Sequence, residues 1–359
     1  MSARAYGRAE FHIGERPVGP GHPCYVIAEA GSNHNRDLVT ALRLIEVAAE
    51  AGADAVKFQT YTADGLYSRH TPDISYLREQ GLVGEHESVW ELIKRVEIPW
   101  EWHDDLARHA EQVGITFLST PFEEAAVDLL EEVGVPAYKI ASYEVNHLPL
   151  IERAARTGKP LLISTGMASL GDIERALDTA LAAGAHDLLV MHCAVNYPPR
   201  FEDLNLRGIT TLQHAFQVPI GWSDHTMGHT ADVVAVALGA CAVEKHYTLS
   251  RNQDGPDHRF ALEPDELKAM VGAIREAEAS LGSTVKRVTD AEAEMFRLGR
   301  RGLVAARDLA TGEAIARADI AVKRPGFGIP VHDMEQVLGR HAAHDIARDQ
   351  VLQWDDLVR

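Results

Sequence analysis

The chain is poor in cysteine and in basic charge, and it has no long apolar run. Its three cysteines, Cys24, Cys193 and Cys241, lie far apart in apolar surroundings. A sparse, odd set excludes a disulfide framework and points to reduced thiols. No run of about 18 or more apolar residues occurs, so no membrane span is expected. The first residues, MSARAYGRAE, lack the apolar stretch of a secretory signal, and a cytoplasmic location is expected. Lysine and arginine number 35 against 53 aspartates and glutamates, a formal charge of -18. Nucleic-acid binding needs a basic field, so that class of partner is excluded. An anionic substrate would have to be held by the site's own lysines, arginines and helix N-termini. A glycine-rich dinucleotide fingerprint is also missing, since EAGSNHN, at the end of the first strand-like run, has a single glycine.

What the chain does have is a regular alternation. Short β-rich runs occupy 24–30, 54–61, 115–121, 137–142, 160–166, 187–194, 219–225 and 241–247. Between them, segments such as DLVTALRLIEVAAEAGA and LGDIERALDTALAAGA repeat apolar residues at three- and four-residue steps, and a glycine closes each helix. Near-continuously apolar strands, each followed by a helix, are the pattern of parallel βα units. Eight such units in about 250 residues predict an α/β fold, a closed (β/α)8 TIM barrel, ahead of a doubly wound open sheet. Segment 62–102 is long for a βα loop and is expected to cover the active face. Near residue 285 the pattern changes. A polar connector leads to short strand-like pieces, GLVAARDL, IAVKRPGFGIP and VLQWDDLV. Residues 1–284 are read as the barrel, and 285–359 as a linker with a small β-rich domain.

The C-terminal ends of barrel strands share one face, and that face carries the site. The run ends supply Glu29, Lys57, Gln59, Ser119, Thr120, Lys139, Ser142, Ser164, Thr165 and His192. The last two runs add Ser223, Asp224, His225, Glu244, Lys245 and His246. Polar residues at every strand end exceed what stability requires, and they predict an enzyme. Two lysines with several hydroxyls suit a phosphate or carboxylate. His225 and His246, from neighbouring runs, are candidates to share one divalent ion, with water and substrate filling its shell. His192 reads as a structural residue. Alternation puts Lys57 with Gln59, Ser223 with His225, and Glu244 with His246 on shared faces, with Asp224 and Lys245 on the opposite ones. Glu244 would either support His246 or face the barrel interior, because periodicity alone does not select the inward face. Asp257 and His258 follow the last run on a loop at the active face.

The stretches IAEAGSNHN, GADAVKFQTY, STPF, PAYKIAS, KPLLISTGM, HCAVNYP, GWSDHT, VEKHYTL and GPDHRFALEPDEL together resemble the sialic-acid (nonulosonic-acid) synthase family. The terminal segment with VKRPGFGI resembles that family's C-terminal antifreeze-like (SAF) domain. The resemblance implies condensation of phosphoenolpyruvate with an amino-sugar aldehyde, N-acetylmannosamine or a 2,4-diacetamido-6-deoxyhexose. The products would be a nine-carbon 2-keto acid and phosphate, released by C–O cleavage. It further implies a divalent cofactor, Mn2+ or Mg2+, on His225 and His246, and Glu29 as a catalytic carboxylate near it. Lys57, Thr120, Lys139, Ser142, Ser164 and Ser223 would hold phosphoenolpyruvate. Gln59, Glu144, Tyr197 and Asp257 would contact the sugar. Arg324 would reach the sugar from the partner subunit's small domain, which makes a domain-swapped homodimer the expectation. One position departs from the neuraminate branch, where an asparagine stands two residues before the tyrosine; here it is Val195, with Asn196 displaced onto the other face. IPWEWH and AEAGSNHN are more similar to the pseudaminic, legionaminic and spore-coat branches. Other readings are an unusual aldehyde of secondary metabolism, a metal-dependent barrel hydrolase or lyase, and a non-enzymatic binding protein. The lysine and hydroxyl set separates the synthase from the hydrolase.

Overall fold

The computed structural model describes residues 6–72, 74, 77, 78, 83 and 87–359. Two compact units divide the chain, Met1–Gly282 and Ser283–Arg359. The first begins with a hairpin of β1 (Phe11–Ile13) and β2 (Arg16–Val18), which turns through Gly14 at φ 58°. Eight strands follow: β3 (Tyr25–Glu29), β4 (Ala55–Thr60), β5 (Thr116–Pro121), β6 (Tyr138–Ile140), β7 (Leu161–Ser164), β8 (Leu188–Cys193), β9 (Ile220–Asp224) and β10 (Ala242–His246). Their paired ladders are parallel, in the order β5-β4-β3-β10-β9-β8-β7-β6. The end strands β5 and β6 approach one another, so the sheet is a near-closed barrel of the expected TIM type.

Local chemistry sets the crossovers. Helix α1 (Leu38–Ala51) starts where the Asp37 side chain accepts from Thr40 N, and it stops at Gly52 in the left-handed region. Its buried residues Ala41, Leu44, Ile45 and Ala48 recur at helical spacing and face the sheet. Helix α2 (Leu170–Ala182) opens on a capping box of Ser169 and Asp172. Helix α3 (Thr230–Ala237) covers the last two barrel strands.

Most barrel strands, such as β3, β8 and β10, are apolar on both faces at the N-terminal end, which is why alternation alone did not select the inward face. Packing does. Tyr25, Ile27, Ala55, Leu118, Leu162, Leu189 and Ala242 cluster inside with Phe11, Ile13 and Val18 of the hairpin. Val26, Phe58, Ile140, Val190, Trp222 and Val243 pack outward under the helices. Each hairpin side chain so buried contributes about 1.5–3 kcal/mol relative to exposure. The hairpin thus closes the N-terminal end of the barrel. The period of two then aims Glu29, Lys57, Gln59, Thr120, Lys139, Ser164, Ser223 and Glu244 into the interior at the other end.

Run 137–142 is shorter as a strand than expected. β6 ends at Ile140, and Ser142–Glu144 form a 3-10 turn closed by Glu144 N donating to Ala141 O. In the long 62–102 segment, helices span Ala63–Leu66 and Val89–Val96, and Leu77, Val83, Val89 and Leu92 cluster together. The expectation for the rest of that segment falls partly outside the described residues. No helix among the described residues is long and apolar enough to cross a membrane.

The second unit is built from two short antiparallel pairs. β11 (Gly302–Ala305) pairs with β12 (Ile320–Lys323), and β13 (His341–Ala342) with β14 (Leu357–Val358). Leu303, Leu309, Ile315, Ile320, Ile329, Val337 and Leu352 form its core. The connector carries a short helix, Ala293–Leu298, that its polarity did not announce.

Candidate active site

A cavity of about 410 Å³ opens at the C-terminal end of the barrel. The barrel-unit residues that the resemblance assigned to the site all line it: Glu29, Lys57, Gln59, Thr120, Lys139, Ser142, Glu144, Ser164, Tyr197, Ser223, His225, His246 and Asp257. Of the other run-end hydroxyls, Ser119 instead bonds Thr60 and Thr165 the Met191 carbonyl, outside this cavity. Arg324 lies in the second unit, exposed just after β12.

The floor is a buried cluster of two cations and two carboxylates. Lys57 Nζ lies 2.7 Å from Glu29 Oε2 and 3.4 Å from Glu244 Oε1, and it donates to Thr120 Oγ1 at 2.8 Å. Lys139 Nζ is 3.6 Å from Glu244 Oε2. Gln59 Nε2 donates to Glu29 Oε1 at 2.8 Å. The two carboxylates diverge in acidity although they share Lys57. Burial pushes Glu29 up to about 7; Lys57 opposes the rise and the Glu244 charge adds to it. Burial also pushes Glu244 upward, but Lys139 and Lys57 outweigh it and hold that carboxyl down at about 2. Burial lowers Lys139, with Glu244 compensating only in part. For Lys57 the attraction of Glu244 and Glu29 exceeds the cost of burial, so it stays a firm cation.

Above this floor His225 and His246 face each other, with ring centroids 5.3 Å apart. His225 Nδ1 lies 3.1 Å from Ala194 O. A carbonyl only accepts, so Nδ1 carries the proton and Nε2 keeps its lone pair. The Tyr197 ring sits 4.4 Å from the His225 ring, and Phe260 5.1 Å from that of His246. Burial drives both histidines down to about 3, so both are neutral imidazoles at physiological pH. His246 Nδ1 is buried and has no hydrogen-bond partner among the described residues. Its nearest carboxylate oxygen, Asp257 Oδ2, is 4.0 Å away and accepts from Ser32 N and Oγ at 3.2 and 2.9 Å. Gly31 permits this approach. Its φ is 52°, and a Cβ there would stand 2.7 Å from Asp257 Oδ2. Two neutral imidazoles, one with an unpartnered buried nitrogen, fit a divalent cation whose other ligands are oxygens. Among the described residues no group of three or more His, Cys, Asp or Glu could hold a metal, so those oxygens would come from water and substrate.

The remaining polar residues ring the cluster. Ser142 Oγ accepts from Gly166 N at 2.9 Å, while Ser164 Oγ and Glu144 Oε2 are buried without hydrogen-bond partners among the described residues. Burial lifts the Glu144 carboxyl to about 8, with Lys139 pulling the other way. Its ordinary value is 4.5, so the folded chain binds more protons here than the unfolded chain between those values. Stability from this group therefore falls as pH rises through that window, by up to about 1.4 kcal/mol per pH unit. Glu144→Gln is expected to be more stable than wild type at pH 8 and to lose most of that advantage at pH 5, as read by urea unfolding. The outer wall differs in character from the floor. Leu66, Leu77, Val89, Leu92, Ile93 and Val96 line it.

Some residues take roles that the sequence left open or did not suggest. Glu244, named from sequence with its role left open between supporting His246 and facing the interior, faces the interior as the shared counter-charge of both lysines. Cys193 also lines the cavity, from β8. Val195 and the exposed Asn196 line a neighbouring cavity, outside this one. His192 is structural, as expected, with Nε2 2.8 Å from Leu204 O and its ring tilted on Trp222.

A parallel barrel with a charged, buried floor at its C-terminal mouth, followed by a small β unit, defines a TIM-barrel enzyme with an appended domain. Residues 44–286 match the NeuB family, and residues 300–358 match the SAF domain. The chain belongs to the NeuB family and is an enzyme of that family. It is 39% identical to the N,N'-diacetyllegionaminic acid synthase of Campylobacter jejuni, covering 91% of this chain and 98% of the relative. It is 34% identical to the pseudaminic acid synthase of Helicobacter pylori, covering 94% and 98%. Among solved structures, the spore coat polysaccharide biosynthesis protein SpsE of Bacillus subtilis is 39% identical with a TM-score of 0.67, covering 98% and 99%. An N-acetylneuraminic acid (sialic acid) synthetase of Leptospira borgpetersenii, in complex with citrate, is 34% identical with a TM-score of 0.71, covering 80% and 95%.

Proposed function

We propose that the chain is a nonulosonic acid synthase that condenses phosphoenolpyruvate with an amino-sugar aldehyde. The observation that supports it most is the floor: two buried lysines, ringed by hydroxyls, lie below two neutral histidines in one cavity. A simple hydrolase on this barrel has no need of such a floor. Lys57, Thr120, Lys139, Ser142, Ser164 and Ser223 bind the phosphate and carboxylate of phosphoenolpyruvate. The incoming anion takes over the lysines' attraction from the resident carboxylates, and Glu29, already raised to about 7, is the one ready to take up a proton. C3 of the enol attacks the aldehyde carbon, and the aldehyde oxygen becomes a hydroxyl by gaining the proton that passes through Glu29 from the added water. Glu29 receives the proton of the water that adds at C2. The C–O bond to phosphate then breaks, leaving the 2-keto acid and inorganic phosphate. His225 and His246 would hold a Mn2+ or Mg2+ ion, which when bound supplies Lewis-acid polarisation of the aldehyde oxygen.

Gln59, Glu144, Tyr197 and Asp257 orient the acceptor. The apolar outer wall suits the methyl groups of acetamido and 6-deoxy substituents. Among the described residues, Lys57 and Lys139 are the cavity's lysines and no arginine lines it, so the acceptor end is walled by apolar side chains rather than by cations of this unit. A 2,4-diacetamido-6-deoxyhexose is therefore the favoured substrate. The deciding experiment is product analysis with phosphoenolpyruvate and a panel of hexosamine, hexosamine phosphate and diacetamido sugar aldehydes, with and without a chelator. Phosphate release that ignores the chelator would remove the metal from the reading, and release without a sugar acid would remove the synthase.

Arg324 acts from the second unit of a partner subunit. Arg324→Ala is expected to raise the acceptor KM about tenfold or more, the worth of a charge-assisted hydrogen bond, and to leave the phosphoenolpyruvate KM unchanged. Mixing Arg324→Ala with His246→Ala subunits should restore activity, because one site of the hybrid dimer is then complete. Failure to complement would place Arg324 outside the partner's site.

A further inference from the structure

We infer that Lys245 and Asp224, a buried ion pair behind the two histidines, form a positioning device that holds His225 in register with His246. The inference rests on the metal reading above. Lys245 and Asp224 are direct partners in the β9–β10 ladder. Alternation sends both side chains out of the barrel, while their immediate neighbours His246 and His225 point into it. Both side chains are fully buried, at 1% and 0% exposure. Lys245 Nζ lies 2.5 Å from Asp224 Oδ2, 2.6 Å from Thr226 O and 3.2 Å from Thr226 Oγ1. Asp224 in turn accepts from Thr226 N at 2.9 Å and from Thr226 Oγ1 at 2.8 Å. Asp232 of α3 stands 3.8 Å from Lys245 Nζ and makes no hydrogen bond through either side-chain oxygen among the described residues.

The location of this cluster explains what it is for. β9 ends at Asp224, so His225 is the first residue beyond the ladder, whereas His246 is still inside β10 and paired with Glu29 of β3. Strand hydrogen bonds hold one histidine and not the other. Lys245 grips the chain on both sides of His225, at Asp224 and at Thr226, and is itself covalently next to His246. It carries the register of the two histidines past the point where the sheet stops doing so. Stability gives one reason for such a pair, since it satisfies the buried N–H, hydroxyl and carbonyl of Thr226, although the ion pair itself usually does no better than apolar side chains of similar volume. What an apolar pair lacks is direction: it would fill the space without aiming the turn from Asp224 to Thr226.

The test separates positioning from folding. In the full-length protein, without substrates, Mn2+ binding is titrated by electron paramagnetic resonance, and unfolding is followed in parallel without metal. Lys245→Met with Asp224→Leu removes both charges together. It is expected to weaken Mn2+ binding by the folded protein about 10- to 100-fold, the usual cost of losing an outer partner of a metal ligand, while the metal-free protein still unfolds in one transition at a lowered midpoint, because buried Thr226 and Asp232 lose their partners. Asp224→Asn, which keeps an acceptor for Thr226 N, covers the case in which the double variant does not fold; a several-fold loss of Mn2+ affinity is expected. Unchanged Mn2+ affinity in either folded variant overturns the proposal and leaves the metal reading standing. Wild-type protein that binds no Mn2+, or His225→Ala protein that binds it equally well, overturns both.

Discussion

Alanine in place of His225, or separately of His246, is expected to cut sugar-acid formation by about 10³-fold or more. A Lewis acid contributes several kcal/mol of charge stabilisation in the transition state, and each 1.36 kcal/mol is about a factor of ten in rate. The fold should survive. Both rings lie at the cavity, are neutral and carry no ion pair with a short contact, so their removal strands no buried charge. The measurement is steady-state phosphate release with added Mn2+, alongside thermal unfolding. A variant that keeps near-full turnover removes that histidine from the metal site, and one that unfolds shows the ring to be structural.

Lys57→Met is expected to damage both stability and function. Lys57 is the common partner of Glu29 and Glu244, and its loss leaves two buried carboxylates with Lys139 as their one close cation. Breaking a buried pair by deleting one partner costs about 3–5 kcal/mol. The deficit should be largest at pH 8. Without Lys57 the Glu29 carboxyl, already raised by burial, moves further above its unfolded value and Glu244 loses part of what holds it down, so the folded variant binds more protons than wild type as pH falls and the deficit narrows towards pH 5. Urea unfolding at the two pH values reads the sign directly. Glu244→Gln in the same chain should recover part of the loss. The phosphoenolpyruvate KM should rise on the order of 10- to 100-fold in any folded Lys57 variant, the worth of a charge-assisted hydrogen bond.

Much of this site was legible in the chain because barrel strands advertise their ends. An apolar run that stops at Lys57 and Gln59, or at Ser223 and His225, marks the mouth, and alternation groups the residues that share a face. The inward face was not legible. Ile27 and Val26 are equally apolar, and only the hairpin packed on Tyr25 and Ile27 selects one set. Glu244 was seen but not placed, because its role depends on Lys57 and Lys139 arriving from β4 and β6, far away in sequence. Ser142 was read as a strand end and Glu144 came only from the family resemblance, since a 3-10 turn of three residues has no periodicity to betray it. In the second unit the strands have only two to four residues, too few for alternation to register, and the short helix at Met334–Val337 passed unnoticed for the same reason.

The hairpin that closes the barrel's far end has a kinetic consequence. A chamber sealed behind by Phe11, Ile13 and Val18 is loaded and emptied from one side. Lys57 and Lys139 sit at its bottom, and the wall of Leu66, Leu77 and Val89 stands nearer the door. In the proposed reaction the anion held by the lysines would be queued behind the sugar, first to arrive and last to leave. Steady-state rates should then follow an ordered sequence, with inorganic phosphate competing against phosphoenolpyruvate and the sugar acid departing before it.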